Sequence, residues 1–193
     1  MKSTMFIALL LIVFLSAHAQ QAIPIGSKAP VFKALTAQGK TIDLSEVSKQ
    51  KQVVLMFYRG QWCPYCNKQM SELEDSLQYI HDLGAMVIAI TPEKPTEIAK
   101  MVEKSGASFD IIYDQNHKIM DRYNVTFSLS EEVNAKYKGW GIDINKASGN
   151  DDYALPVPAT YIIDKNGTIK GAFFNEDYKK RMYVAHILKV LKQ

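Results

Sequence analysis

Residues 51–66 read KQVVLMFYRGQWCPYC and join an apolar run to a Cys-x-x-Cys motif, and this junction indicates the fold class. The apolar part, Lys51 to Tyr58, is typical of a parallel strand that is buried on both faces. The helical pattern after the motif ends at Gly84 and places four apolar residues on one face: Met70, Leu73, Leu77 and Ile80. The sequence therefore predicts a buried strand that leads into a long helix, with two cysteines where the helix begins.

The remainder of the chain alternates strand and helix patterns. Further strands are predicted at Ala85–Ile90, Phe109–Tyr113, Thr160–Asp164 and Thr168–Phe174. Further helices are predicted at Pro95–Ser105, Gln115–Tyr123 and Tyr183–Leu191. The last two strands flank Asp164-Lys165-Asn166-Gly167, which is a hairpin signal. This order predicts one α/β domain with a central mixed β-sheet flanked by helices, in which residues 125–155 form a long surface insertion.

Composition argues against several classes of protein. The chain has 193 residues, of which 47% are hydrophobic and 22% charged, so a disordered or coiled-coil protein is disfavoured. A net charge of +3 without a run of basic residues argues against nucleic-acid binding. Two cysteines are too few for a multi-bridge disulfide framework or a four-thiolate zinc site. The three histidines after residue 19 show no paired ligand spacing, and they are His81, His117 and His186. We therefore expect no bound metal, and we also expect no cofactor.

The first nineteen residues resemble an export signal. Lys2 supplies a positive charge, Met5 to Leu15 is an unbroken apolar run, and Ala17 and Ala19 occupy the positions that a signal peptidase reads. The run is short for a membrane-spanning helix, which needs about 20 apolar residues. We therefore expect a signal peptide at 1–19 and an exported, periplasmic or secreted domain at 20–193, without stable membrane insertion after cleavage. An uncleaved anchor is the alternative that the sequence leaves open.

The motif Trp62-Cys63-Pro64-Tyr65-Cys66 carries the chemistry. Two intervening residues on the first helical turn bring both sulfurs close enough for a Cys63–Cys66 disulfide. The helix start also places the first sulfur near unpaired N–H groups and the positive end of the helix dipole, which favours thiolate. We therefore predict that Cys63 is the exposed, reactive thiol and that Cys66 lies one turn deeper. A structural disulfide, a metal site and two unrelated free thiols are the competing interpretations.

Four stretches of the chain resemble one protein family. Residues 57–66, FYRGQWCPYC, are similar to the active-site turn of the thioredoxin-like superfamily, and more narrowly to the peroxiredoxin-like branch of the AhpC/TSA family. Residues 26–32, 155–164 and 175–178 are similar to further segments of the same branch. The resemblance implies a thioredoxin-like fold. It also implies a cis peptide bond before Pro158, which would expose the backbone of Val157 to an extended substrate chain.

The family pattern P-x-x-x-T/S-x-x-C fits this chain only in part. The peroxidatic cysteine of that pattern falls on Cys66, whereas Cys63 stands at the Thr/Ser position and Arg59 at the proline position. The separate catalytic arginine of the family is left unassigned between Arg122 and Arg181. Arg59 is expected either to lower a thiol pKa or hold an anionic substrate, or to be a solvated loop residue.

Trp62, beside the first cysteine, is expected either to contact substrate or to serve only in packing.

The leading hypothesis is an exported thiol–disulfide oxidoreductase. Cys63 would attack a protein disulfide, and Cys66 would then displace the mixed disulfide and leave a Cys63–Cys66 bridge. The alternative is a thiol-dependent peroxidase that reduces hydroperoxides through a sulfenic acid. Both require a thiol electron donor. A non-enzymatic binding module is a third hypothesis, which the retained dithiol argues against.

Overall fold

The computed structural model describes residues 20–193. The predicted signal peptide, residues 1–19, lies outside the described residues. Within 20–193, no helix is long and apolar enough to cross a membrane.

In chain order the strands are β1 (Lys33–Leu35), β2 (Thr41–Asp43), β3 (Gln52–Phe57), β4 (Ala85–Thr91), β5 (Asp110–Tyr113), β6 (Thr126–Ser128), β7 (Ala154–Pro156), β8 (Ala159–Ile163) and β9 (Ile169–Phe174). The α-helices are α1 (Leu44–Ser48), α2 (Pro64–Asp75), α3 (Leu77–Asp82), α4 (Pro95–Ser105), α5 (Lys118–Arg122), α6 (Glu131–Gly139), α7 (Ile144–Ser148) and α8 (Val184–Leu191).

A five-stranded mixed sheet in the order β5-β4-β3-β8-β9 forms the centre of the domain. The strands β3, β4 and β5 run parallel, and β8 runs antiparallel to β3. The predicted hairpin is confirmed, since β8 pairs with β9 and Asp164 accepts hydrogen bonds from Asn166 and Thr168 in the turn. The predicted α/β class and mixed sheet are therefore confirmed.

Both faces of the sheet are covered by helices. Successive side chains of β3 point to opposite faces, so the strand contributes to the apolar cluster on each side. Val54 and Met56 join one apolar cluster, under α2, α3, α4 and α8, whereas Val53 and Leu55 join the other, under α1 and α5. This double burial explains the continuous apolar run that the sequence shows before the cysteines.

Two predicted elements differ from the structure in detail. The long helix after the motif breaks at Ser76, whose φ of −106° and ψ of 4° are not helical, so α2 and α3 are separate. Residues 125–155 contain α6 and α7, and the ends of this segment close as the antiparallel pair β6–β7. The insertion is therefore an ordered unit held at its base by backbone hydrogen bonds.

Candidate active site

The two cysteines occupy the first turn of α2. Cys63 is the N-cap, with extended φ and ψ of −89° and 111°, and Pro64 is the first helical residue, where its missing N–H costs nothing. The amide of Cys66 donates to the carbonyl of Cys63 at 3.0 Å. At the end of β3, Tyr58 donates to Ile90 at 3.0 Å and fixes the turn against β4. The predicted placement of the motif at a strand-to-helix junction is confirmed.

Both sulfurs are buried, which makes the prediction of an exposed Cys63 wrong. Cys63 is 1% exposed and Cys66 is 0% exposed. Cys63 still has an approach from outside, because it lines a cavity of about 160 Å³ whose walls are mostly aromatic: Trp62, Tyr65, Tyr137, Trp140 and Tyr178. These rings, two of them from the insertion, exclude solvent from a sulfur that sequence reasoning placed at the surface.

Cys66 contacts a cation from the far end of the chain. The Nη2 of Arg181 donates to Cys66 Sγ at 3.4 Å, across 115 positions of sequence. The other end of this guanidinium donates to the carbonyls of Lys180 and Tyr178, which hold it in place. Of the two arginines left open by the sequence, Arg181 is therefore the one beside the dithiol, whereas Arg122 donates to the carbonyl of Val31.

The pKa values of the two cysteines shift in opposite directions. Burial opposes ionisation of Cys66, but hydrogen bonds from the Cys63 thiol, Arg181 and the backbone of Arg59 outweigh it and lower the pKa of Cys66 to about 6. The same bond to Cys66, together with burial, raises the pKa of Cys63 above its ordinary value. With Arg181 against its sulfur, Cys66 is the cysteine at which the thiolate is favoured, whereas the sequence favoured Cys63.

Arg59 is buried among aromatic rings. Its guanidinium carbon lies 4.5 Å from the ring centre of Tyr178, 5.0 Å from that of Trp62 and 5.7 Å from that of Tyr137. It also donates to the hydroxyl of Tyr137, and its exposed fraction is 3%. A solvated loop arginine is thus ruled out. Its charge favours ionisation of Cys63, but as a minor contribution.

Trp62 has a packing role, whereas its contact with substrate stays a prediction. Its ring packs edge-on against Tyr137 with centroids 5.4 Å apart, and it also lines the cavity at Cys63.

The predicted cis peptide bond before Pro158 is wrong, and the predicted binding of substrate at Val157 and Pro158 stays a prediction. Within residues 20–193 no peptide bond is cis, so the Val157–Pro158 bond is trans. Both residues are buried, and the amide of Val157 donates to the carbonyl of Val125 at 2.7 Å. The backbone that was expected to pair with a substrate chain is instead used to close the base of the insertion.

A buried carboxyl that sequence reasoning missed lies under the turn. Glu93 follows β4, is 1% exposed and accepts a hydrogen bond from the amide of Gln61 at 2.7 Å. Burial raises the pKa of Glu93 to about 8, so this side chain is protonated at neutral pH. Its position after a strand offers no pattern that marks it in the sequence. Within residues 20–193, no three His, Cys, Asp or Glu side chains lie together as metal ligands.

Comparisons with known proteins agree on one family. The AhpC/TSA family profile matches residues 25–172. Peroxiredoxin Bcp of Bacillus subtilis is 28% identical over 170 residues, covering 88% of this chain and 96% of that protein. The chloroplastic peroxiredoxin Q of Gentiana triflora is 27% identical, covering 86% of this chain and 66% of that protein. In fold, peroxidoxin BcpB of Mycobacterium tuberculosis matches with a TM-score of 0.68 and 17% identity, covering 87% of this chain and 96% of that one. The resemblance drawn from the motifs and its thioredoxin-like fold are therefore confirmed.

Replacing Arg181 should make Cys66 less acidic. In a Cys63→Ser background, whose hydroxyl can still donate to Cys66, we expect thiolate absorbance at 240 nm to titrate with a midpoint of about 6. Adding Arg181→Met removes the cation, so the thiolate is less favoured and the midpoint should rise by about one pH unit or more. Arg122→Met, which is remote from the sulfurs, is the control and should leave the midpoint unchanged. An unmoved midpoint in the Arg181 variant would contradict the assignment.

Gly60→Ala should disturb the turn through steric contact. A Cβ at this position would lie 2.6 Å from Glu93 Oε1 and 2.8 Å from Trp62 Cε2, and would also meet Trp62 Nε1. Displacement of the turn by about 1 Å can cost on the order of 10²-fold in rate, so peroxide oxidation of the dithiol should fall strongly. Gly139→Ala, where an added Cβ meets nothing within 4 Å, is the matched control. Stopped-flow tryptophan fluorescence follows both; equal rates would show that the turn tolerates the methyl group.

Proposed function

This chain belongs to the AhpC/TSA family, and we propose that it is a thiol-dependent peroxidase in which Cys66 attacks the hydroperoxide and Cys63 resolves the product. The observation that carries the proposal is the contact of 3.4 Å between Arg181 Nη2 and Cys66 Sγ, which favours thiolate at this sulfur. The peroxiredoxins Bcp and Q among its relatives support the same activity. The peroxidase alternative therefore ranks above the thiol–disulfide oxidoreductase that was first expected.

The first step is attack of the Cys66 thiolate on the terminal oxygen of the hydroperoxide. The O–O bond breaks, Cys66 becomes a sulfenic acid, and the released alkoxide takes a proton from water to become the alcohol. Negative charge moves from sulfur to the departing oxygen, and the guanidinium of Arg181 lies beside this path.

Cys63 replaces a hydroxyl donor of the family pattern. Its neighbouring thiol lowers the pKa of Cys66, as a hydroxyl donor of Thr or Ser would at the same position. After the first step this thiol attacks the sulfenic acid, the S–S bond forms, and water leaves with the proton of Cys63. Because Cys63 is the N-cap of α2 and Cys66 lies in its first turn, the attack needs no rearrangement of the fold.

Reduction of the disulfide is a thiol–disulfide exchange. A donor thiolate attacks Cys63, which lines the aromatic cavity, and releases Cys66, whose lower pKa makes it the better leaving group. A second donor thiolate then frees Cys63 and forms the donor disulfide. The exchange chemistry that the motif predicted is thus the regenerating half of the proposed cycle.

Single-cysteine variants separate the proposed roles. Cys66→Ser should abolish peroxide consumption, because no thiolate remains at the reacting position. Cys63→Ser should still consume one equivalent of peroxide and accumulate a sulfenic acid on Cys66, trapped by dimedone and located by mass spectrometry, without turnover with dithiothreitol. Peroxide oxidation that survives in Cys66→Ser and disappears in Cys63→Ser would show that Cys63 attacks the peroxide and Cys66 resolves the product. Oxidation of neither sulfur by peroxide in the wild type would refute the peroxidase.

Export is proposed on the amino-terminal sequence alone. The apolar run Met5 to Leu15 followed by Ala17 and Ala19 supports cleavage after Ala19. Expressed from its full gene in a bacterium, the protein should be recovered from the periplasm or medium with Gln20 as its first residue, read by amino-terminal sequencing. Recovery with residues 1–19 still attached would overturn cleavage.

A further inference from the structure

A groove separate from the aromatic cavity lies on the other side of Tyr65. It has a volume of about 420 Å³ and runs between α2, the end of β9 and residues 179–183. Its apolar surface comes from four side chains: Tyr65, Phe173, Met182 and Tyr183. Pockets that bind small organic molecules have volumes of about 300–1,000 Å³, so the groove has the size of a ligand site.

The groove concentrates positive charge. Four cationic side chains line the groove against one carboxylate, so the net charge of its lining is +3. The cations are Lys68, Lys179, Lys180 and Arg181, and the carboxylate is Glu72. The net charge of the whole chain is also +3. Lys179 and Lys180 are exposed and form no ion pair with any residue of 20–193. A concave cationic site of this kind attracts anions.

Two hydrogen-bond donors in the groove lack acceptors. Gln69 is 3% exposed, and its Nε2 has no partner among residues 20–193. The Nε of Arg181 is likewise buried without a partner in the described part of the chain. A buried donor without an acceptor is costly, and both of these residues line the groove. An incoming carboxylate would supply the missing acceptor oxygens.

The groove is lined by the side chain that contacts Cys66. Arg181 lines the groove and contacts Cys66 Sγ at 3.4 Å, so one side chain separates the groove from the proposed peroxide-reactive sulfur. Tyr65 and Tyr178, with ring centroids 5.8 Å apart, form a ridge between the groove and the aromatic cavity at Cys63. The groove therefore adjoins the arginine that contacts Cys66, whereas Cys63 lines the aromatic cavity.

We propose that this groove binds the substrate of the peroxidase as an organic hydroperoxide that carries a carboxylate. The carboxylate lies against Lys179, Lys180 and Gln69, the apolar body covers Tyr65 and Phe173, and the peroxide reaches Cys66 past Arg181. The inference rests on the proposed peroxidase function and adds the charge and shape of its substrate. Small anions without an apolar body, and neutral hydroperoxides, use only part of the site.

The test compares cumene hydroperoxide with its para-carboxylate, which share one body and differ in one charge. We expect the wild type to prefer the carboxylate by about tenfold in kcat/KM at low ionic strength, with a smaller preference at high salt. In Lys179→Glu/Lys180→Glu the preference should fall to about one or below. The control Lys51→Glu/Lys192→Glu makes the same charge change at the amino end of β3, away from the motif, and should keep the wild-type preference.

Gln69→Leu separates docking in the groove from long-range attraction, since it changes no charge. We expect this variant to lose at least about threefold of the preference, because one carboxylate hydrogen bond is removed. An unchanged preference in Gln69→Leu, or in the Lys179 and Lys180 variant, would overturn the site, as would a wild type that does not distinguish the two hydroperoxides. If neither hydroperoxide oxidises Cys66, the peroxidase proposal fails instead, and the two failures are distinguishable.

Discussion

A negative charge on Cys66 has to be stabilised inside the hydrophobic core, and the rest of the site depends on this constraint. Cys66 belongs to the same buried cluster as Met70 and Leu73, and burial alone opposes its ionisation. Three donors oppose this effect: the thiol of Cys63, the guanidinium of Arg181 and the backbone N–H of Arg59. The donors come from the helix cap, the segment before α8 and the end of β3. The sulfur is therefore acidic only when the whole domain is folded around it.

The two arginines near the motif have different environments and different duties. Arg59 lies among aromatic rings and donates to Tyr137 of the insertion, so it ties that segment to the turn that carries the cysteines. Arg181 contacts sulfur directly. Tyr178 links them, because its ring lies under Arg59 and its carbonyl accepts from Arg181. The aromatic wall closes Cys63 from solvent and leaves a narrow approach to it, whereas the cationic groove is lined by Arg181, which contacts Cys66.

Local patterns in the sequence predict the scaffold, but not the division of labour within the site. The strand before the motif, the first turn of α2 and the β8–β9 hairpin follow from periodicity and turn chemistry over short stretches. The acidity of Cys66 depends on Arg181, which is 115 positions away and carries no local signal. Helix-dipole reasoning favoured Cys63 because it considers one helix in isolation and ignores which sulfur donates to the other. The trans bond at Pro158 escaped prediction for a similar reason, since its neighbour Val157 is held by the distant Val125.

In the proposed peroxidase Cys66, and not Cys63, carries the negative charge of the reduced pair. Carbon-13 labelling of both cysteine Cβ atoms and NMR titration of the reduced wild-type protein resolves the two ionisations in one sample. We expect the Cβ shift of Cys66 to change with a midpoint of about 6, while the shift of Cys63 stays that of a thiol through neutral and mildly alkaline pH. A Cys63 signal that titrates first, with Cys66 unchanged, would contradict it.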